Sequence, residues 1–196
     1  ATSFLLGDKV VVDAGTLCHP LTLDEQATID DIILTSAAAD RVADLAHFAD
    51  NVLGRRRAPV TVHGTAATLD TLKKHLFNGA LAQDYTSLPS SSAPTLKFKP
   101  HAHNKKFQVG DTEFWFVPLK HALDSSAVFV KLPQGTLVFG GDTGPQQAMW
   151  DAVNKLQDVR ALFVECSLPN SMQKLADHAG HLTPQTMATE LKKLSV

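Results

Sequence analysis

The segment IILTSAAADR (residues 32–41) decides the fold of this chain. Its first half is a short apolar run that follows acidic residues, the pattern of a buried β-strand. Downstream, Val42, Leu45 and Val52 recur at helical spacing. The segment is therefore predicted to turn from a strand into a helix. Turns at the carboxyl ends of strands are where α/β proteins collect their functional residues.

Composition limits what the chain can be. With 196 residues, it is predicted to form one domain, residues 1–196, large enough to bury a core without disulfides or metals. The formal net charge of −2 gives no basic field that would attract nucleic acid or an acidic membrane. Cys18 and Cys166 lie far apart and predict free thiols in a reducing compartment. With no apolar leader and no apolar run of roughly 20 residues, we expect a cytoplasmic domain.

The other elements alternate between strands and helices, which predicts the α/β class. A hairpin turned by glycine is expected at residues 3–13, and Thr183 is expected to cap the last helix. The β-rich part that starts at Thr95 is predicted to be an antiparallel meander. Residues 161–165 are predicted to be a buried strand. Residues 84–94 lack periodicity and are predicted to be a long loop.

The His101-Ala102-His103 motif has a functional and a structural interpretation. Alternate residues on a strand share one face, so the two histidines could bind one metal ion. Lys105 and Lys106 follow directly, and their positive charge would oppose a cation. We therefore predict a mostly solvated loop.

Candidate metal ligands follow several of the predicted strands. They are Asp13, Asp40, His121 and Asp142, with His181 on a further loop. One acid or histidine at such a place is more often a helix cap or a turn residue. Five of them are harder to explain in that way. Mixed carboxylate and imidazole ligands suit a hydrolytic zinc, manganese or iron site.

Several sequence blocks resemble the metallo-β-lactamase-fold superfamily and, within it, the class II cyclic-nucleotide phosphodiesterases. The blocks are residues 13–15, 32–35, 75–78, 118–121, 141–145, 165–170 and 180–184. The resemblance implies a four-layer αββα sandwich and, in active members, hydrolysis of 3′,5′-cyclic nucleotides by two bridged metals. Compared with the family, the chain is expected to be either an excised domain or a fold that is trimmed at both ends. A second copy in a homodimer, or a partner domain, would then cover the sheet edges.

The main departure from this family lies in its metal-binding signature. Active members carry His-x-His-x-Asp-His directly after the strand that ends at Thr35. On this chain the four ligand positions are Ser36, Ala38, Asp40 and Arg41. The resemblance assigns the first metal to the two lost histidines together with His121 and Asp142. Because only two ligands remain, that position is expected to be empty.

The second metal position would use Asp40, Asp142, His181 and a histidine that Arg41 replaces. A guanidinium has no available lone pair and cannot bind a cation, but it pairs readily with carboxylates. Arg41 is therefore predicted to fold toward Asp40 or Asp142 and to replace the charge of the metal. The vestigial site then consists of Asp13, Ser36, Ala38, Asp40, Arg41, His121, Asp142 and His181.

The leading hypothesis is a degenerate phosphodiesterase-like domain without a metal cofactor, which serves ligand sensing, regulation or assembly. Its expected ligand is a cyclic nucleotide or another small phosphate, and neither nucleic acid nor a membrane is expected as a partner. The alternative is a residual hydrolase with one zinc, manganese or iron ion at Asp40, Asp142 and His181. Ser36 as a nucleophile with His121 as base is disfavoured, because the sequence offers neither oxyanion donors nor an orienting acid.

Overall fold

Strands and helices alternate along the chain as predicted, in a computed structural model that describes residues 2–195. The fold divides into two units, the first ending at His101 and the second beginning at Ala102. Each unit contains one five-stranded sheet with its helices, which confirms the predicted α/β class. One domain over residues 1–196 stays a prediction. No helix within residues 2–195 is long and apolar enough to cross a membrane.

The first unit is built on a mixed sheet with the strand order β1-β2-β3-β4-β7. Its elements are β1 (Phe4–Leu6), β2 (Val10–Val12), α1 (Leu23–Gln26), β3 (Asp31–Ile33), α2 (Ala39–Val42), α3 (Leu45–Val52), β4 (Val60–Gly64), α4 (Ala66–His75), β5 (Pro89–Ser90), β6 (Ala93–Pro94) and β7 (Leu96–Pro100). The predicted hairpin is present as antiparallel β1 and β2, whereas β2, β3, β4 and β7 run parallel.

One face of this sheet forms the core of the first unit. Strand residues such as Val11, Ile32 and Val62 are buried in one cluster with Leu45 and Phe48 of α3. Full burial of such side chains stabilises a fold by about 1.5–3 kcal/mol each. This packing fixes β3 and α3 on either side of the turn at residues 35–38.

Two predictions for this unit need correction. The strand at Leu96–Pro100 does not begin the meander, because it pairs in parallel with β4 and completes the first sheet. Alternation of apolar and polar residues identifies a half-buried strand but does not identify its neighbour. Within the loop predicted at residues 84–94, β5 and β6 form a short antiparallel ladder. Such two-residue strands are too short to leave a periodic signal in sequence.

The second unit contains the predicted antiparallel meander. Its elements are β8 (Lys106–Val109), β9 (Thr112–Pro118), β10 (Ser126–Leu132), β11 (Gly135–Phe139), α5 (Ala148–Asn154), β12 (Val159–Phe163), a 3₁₀ turn (Asn170–Met172), α6 (Gln173–Ala179) and α7 (Pro184–Leu191). The strand order is β12-β11-β10-β9-β8. Thr183 caps α7 as predicted, because its hydroxyl accepts from the Thr186 N–H.

The predicted buried strand at residues 161–165 is instead the edge strand β12. It pairs in parallel with β11 on one side, and Phe163 is 40% exposed. An apolar run gives the same signal at an edge as in the centre of a sheet. Phe163 stacks on Phe139 of β11, with the ring centroids 4.9 Å apart. Both cysteines are free thiols, in agreement with the prediction.

Gly15 allows α2 and the backbone of Thr2 to pack against the chain that follows β2. A Cβ atom at this position would lie 1.9 Å from the backbone carbonyl oxygen of Asp40 and 2.6 Å from the Thr2 backbone nitrogen. Backbone atoms cannot move aside as a flexible side chain can. The absence of a side chain at Gly15 is therefore a condition for this packing.

We predict that Gly15→Ala lowers the free energy of unfolding by about 3 kcal/mol, because overpacking against backbone is costly. The matched control is Gly7→Ala, where the glycine has φ +65° and open space around it. There only backbone strain of about 1 kcal/mol is expected. Urea denaturation measures both variants. Equal losses of stability would show that the close approach at Gly15 is unimportant.

Candidate functional site

Asp13, directly after β2, holds the start of the turn that follows β3. Its carboxylate accepts hydrogen bonds from the Thr35 N–H at 2.8 Å and from the Thr35 hydroxyl at 2.8 and 3.0 Å. Asp13 is buried and has φ +60°, a conformation that aspartate tolerates better than most residues. Strained backbone of this kind is found often at functional sites.

Arg41 pairs with two carboxylates in the first unit. Its Nε atom lies 3.4 Å from Oδ2 of Asp40, and Nη1 lies 3.5 Å from Oδ2 of Asp13. The predicted pairing with Asp40 is therefore observed, whereas the pairing with Asp13 was not predicted. Arg41 and Asp13 are both buried, so each charge needs the other. Asp40 is about half exposed and is less dependent on the pair.

Ser36 and Ala38 occupy two of the predicted ligand positions and are buried. The Ser36 hydroxyl accepts a hydrogen bond from the Ala38 N–H at 3.2 Å, a local contact that stabilises the turn. Ala38 offers no ligand atom, and it precedes α2 without a side-chain cap. Neither residue replaces a metal-binding histidine.

The second unit brings together Asp142, His181 and a residue that was not predicted, Glu165. Asp142 follows β11, Glu165 follows β12, and His181 follows Gly180, which ends α6 with φ +77°. One potential ligand atom from each of the three lies within 4.8 Å of the others. Glu165 was part of a block that resembles the family, but no ligand motif in the sequence singled it out.

Glu165 accepts hydrogen bonds at both of its carboxylate oxygens. Its Oε1 atom lies 3.1 Å from Nδ1 of His181 and 3.4 Å from the Thr143 nitrogen, which donates to it. The Ser167 hydroxyl donates to the other oxygen, Oε2. A carboxylate on one ring nitrogen fixes the orientation of a histidine and directs the other nitrogen to a ligand. Glu165 thus positions His181.

His121 lies against His181 in this cluster. The two rings meet edge to face with centroids 4.9 Å apart, and the Leu123 N–H donates to Nδ1 of His121 at 3.2 Å. Burial lowers the pKa of His121, and the charge of Asp142 opposes this shift only in part. His121 is therefore neutral at pH 7. Its Nε2 atom is buried and has no hydrogen-bond partner among residues 2–195.

The residues present fit one divalent cation better than two. Carboxylate and imidazole ligands are available from Asp142, Glu165 and His181. The positions where active relatives carry three further histidines hold Ser36, Ala38 and Arg41, none of which is a metal ligand in this arrangement. A bound ion would supply a Lewis acid and lower the pKa of a bound water.

The predicted loop is present at residues 101–105, but His101 and His103 within it are half-buried and hydrogen-bonded. Nε2 of His101 lies 2.9 Å from Nδ1 of His63, and Nε2 of His63 lies 2.8 Å from Oδ1 of Asp31. Nε2 of His103 lies 2.8 Å from the Ser126 hydroxyl oxygen. The neighbouring lysines suggested solvent, but strands distant in sequence provide the partners. Burial, together with the charges of His63 and Lys99, lowers the pKa of His101 to about 4.

Comparison with known proteins identifies the class. Residues 8–196 match the model of the family described as beta-lactamase superfamily domain. The chain belongs to this family, and its fold is that of the metallo-β-lactamase superfamily. None of the curated proteins matches the sequence significantly.

Solved structures with the same fold include three that cover most of the chain. Unliganded yeast PDE1 is 20% identical to this chain, with a TM-score of 0.77. The match covers 87% of this chain and 53% of the PDE1 chain. The Bacillus subtilis protein YhfI is 16% identical to this chain, with a TM-score of 0.73. The match covers 97% of this chain and 72% of the YhfI chain. A diphosphatase of the PhnP family shares 17% identity with a TM-score of 0.60, covering 95% and 65%. The chain thus spans about half the length of yeast PDE1.

We predict that Arg41→Met lowers the free energy of unfolding by about 3 kcal/mol, because the buried Asp13 carboxylate loses its countercharge. The matched control is Arg55→Met, since Arg55 lies 3.9 Å from Asp24 in an exposed pair. Loss of that pair is expected to change stability by less than about 0.5 kcal/mol. Urea denaturation measures both, and a similar effect of the two substitutions would contradict the structural role of Arg41.

Acid is predicted to destabilise the fold through His101. The pKa of His101 is about 4 in the folded chain, whereas the ordinary pKa of histidine is 6.5. Between these two pH values the unfolded chain therefore binds more protons than the folded chain. The contribution is complete above pH 6.5 and is lost as the pH falls toward 4. His101→Asn should flatten the decline of unfolding free energy between these pH values. His75→Asn on the exposed side of α4 is the matched control, and an equally flattened decline there would contradict the prediction.

Proposed function

We propose that this chain is a degenerate class II cyclic-nucleotide phosphodiesterase-like domain that has lost the dinuclear metal site and serves ligand sensing, regulation or assembly. The observation that carries the proposal is the position of Arg41. Its guanidinium pairs with Asp13 and Asp40, where an active family member needs a metal-binding histidine. The buried carboxylate is already compensated without an ion.

Electrostatics also disfavour a metal at this position. A divalent cation about 4 Å from a guanidinium would be repelled by on the order of 8 kcal/mol at an effective dielectric constant of 20. The ligands that could offset this repulsion are missing, because Ser36 is bonded to its own turn and Ala38 has no polar side chain. The loss of two histidines at Ser36 and Ala38 and the replacement of the third by Arg41 all weaken metal binding at this position.

The ligand class follows from the family resemblance. The blocks that resemble class II cyclic-nucleotide phosphodiesterases, and the similarity to yeast PDE1 and to a diphosphatase, favour a small phosphate-containing ligand. We propose a cyclic nucleotide or a related small phosphate, with no nucleic acid or membrane as partner, in the cytoplasm. A homodimer or a partner domain would cover sheet edges such as β12, where Phe163 is 40% exposed.

A second candidate is a residual hydrolase with one zinc, manganese or iron ion. The specific observation in its favour is the group formed by Asp142, Glu165 and His181 in the second unit. The sequence predicted Asp40 in place of Glu165, and that ligand set stays a prediction. In this alternative Asp142 and His181 would hold the ion, which would supply a Lewis acid, and Glu165 orients His181.

Calorimetry with cyclic AMP tests the leading proposal. We predict that the protein binds cyclic AMP with the same heat in the presence and absence of EDTA, and that no AMP is formed. His121→Asn should weaken binding, whereas His75→Asn on the exposed side of α4 should not. Hydrolysis that EDTA abolishes would support the one-metal enzyme instead. An absence of binding would contradict sensing and leave assembly, which light scattering tests.

A further inference from the structure

The two histidines of the second unit are held in opposite hydrogen-bonding states. His121 accepts the Leu123 N–H at Nδ1, and a neutral imidazole that accepts there carries its proton on Nε2. At His181 the order is reversed, because a carboxylate oxygen of Glu165 lies 3.1 Å from Nδ1 and can only accept. His181 therefore carries its proton on Nδ1 and has a lone pair on Nε2.

The Nε2 proton of His121 has no acceptor in the part of the chain that the structure describes. The atom is buried without a partner, although buried polar atoms are nearly always hydrogen-bonded. The ring lies edge to face against His181, close enough to Asp142 and Glu165 for their charges to act on it. A buried donor beside potential ligand-binding groups is typical of an atom whose partner arrives with a bound molecule.

We propose that His121 donates its Nε2 proton to an oxygen atom of a bound ligand and is not a metal ligand. Nε2 of His181, which has the lone pair, is the ring atom left for any cation that the site takes. This inference rests on one part of the proposed function, namely the loss of the first metal position. A protonated Nε2 has no lone pair for a metal, and moving the proton to Nδ1 would direct it at the Leu123 N–H.

The charges nearby narrow the chemistry of the ligand oxygen. The carboxylates of Asp142 and Glu165 lie beside the donor and would repel a bare anion. The accepting oxygen is therefore uncharged, as in a hydroxyl or ester group, or belongs to a phosphate that is accompanied by a cation. His121 would select a ligand by this oxygen, whereas His181 would select the cation.

Long-range ¹H–¹⁵N NMR of the labelled chain at neutral pH tests the two hydrogen-bonding states. His121→Asn and His181→Asn assign the signals. We expect the Nε2-protonated form of His121 to exceed the Nδ1-protonated form by about tenfold, because the alternative loses the Leu123 hydrogen bond. His181 should show the reverse. A His121 that carries its proton on Nδ1 overturns the proposal.

Addition of Zn²⁺ alone to the same sample tests whether His121 binds a metal ion. The nitrogens of His121 should keep their pattern at every zinc concentration, whether or not His181 responds. Loss of the Nε2 proton of His121, with the shift of a metal-bound nitrogen, overturns the proposal. This readout does not depend on hydrolysis. A chain that hydrolyses cyclic AMP but keeps the His121 proton would contradict the proposed function alone.

A positioning variant separates the two histidines. Glu165→Ala should abolish the preference of His181 for the Nδ1 proton and leave His121 unchanged, because of the two histidines only His181 is hydrogen-bonded to this carboxylate. Glu113→Ala is the matched control, since Glu113 pairs with Lys106 on another part of the same unit. Equal effects of both variants on His181 would contradict the role of Glu165. The wild-type spectra decide the question for His121 even if Glu165→Ala does not fold.

Discussion

The buried carboxylate of Asp13 is the constraint on which the turn after β3 depends. It accepts from the backbone and the hydroxyl of Thr35, so it holds the strand end in place, and it needs a positive charge nearby. In an active metallo-β-lactamase-like hydrolase, metal ions supply positive charge at such a turn. Here the guanidinium of Arg41 supplies it from the same turn, and it also reaches Asp40.

The two units differ in the polar groups that they bring together. In the first unit, the Ser36 hydroxyl accepts from the Ala38 N–H, and Arg41 pairs with Asp13 and Asp40. In the second unit, the potential ligands Asp142 and His181 are retained, and Glu165 orients the histidine. The second unit therefore groups three residue types that can bind a metal ion, whereas the first unit pairs its carboxylates with a guanidinium. That contrast favours binding over two-metal catalysis.

Much of the fold could be predicted from the sequence because its signals are local. The hairpin, the turn after β3, the meander and the Thr183 cap each depend on neighbours a few residues away. The parallel pairing of Leu96–Pro100 with β4 and the edge position of β12 depend on partners distant in sequence. An apolar pattern contains no information about which strand lies next to it.

The contacts of the site residues could likewise be predicted between adjacent residues but not between residues distant in sequence. The pairing of Arg41 with Asp40 could be predicted because the residues are adjacent and a guanidinium seeks carboxylates. Its second partner, Asp13, lies 28 positions away, and Glu165 lies 16 positions from His181. The hydrogen-bond chain from Asp31 through His63 to His101 was missed because β3, β4 and the loop after β7, which are distant in sequence, contribute to it.

The central claim is that Arg41 has replaced a metal ion and that a dinuclear centre cannot form. Native mass spectrometry of the intact chain after saturation with zinc tests it most directly. The account predicts a protein that carries no more than one zinc ion, because the ligands of the first metal position are absent. A species with two tightly bound zinc ions would contradict the account.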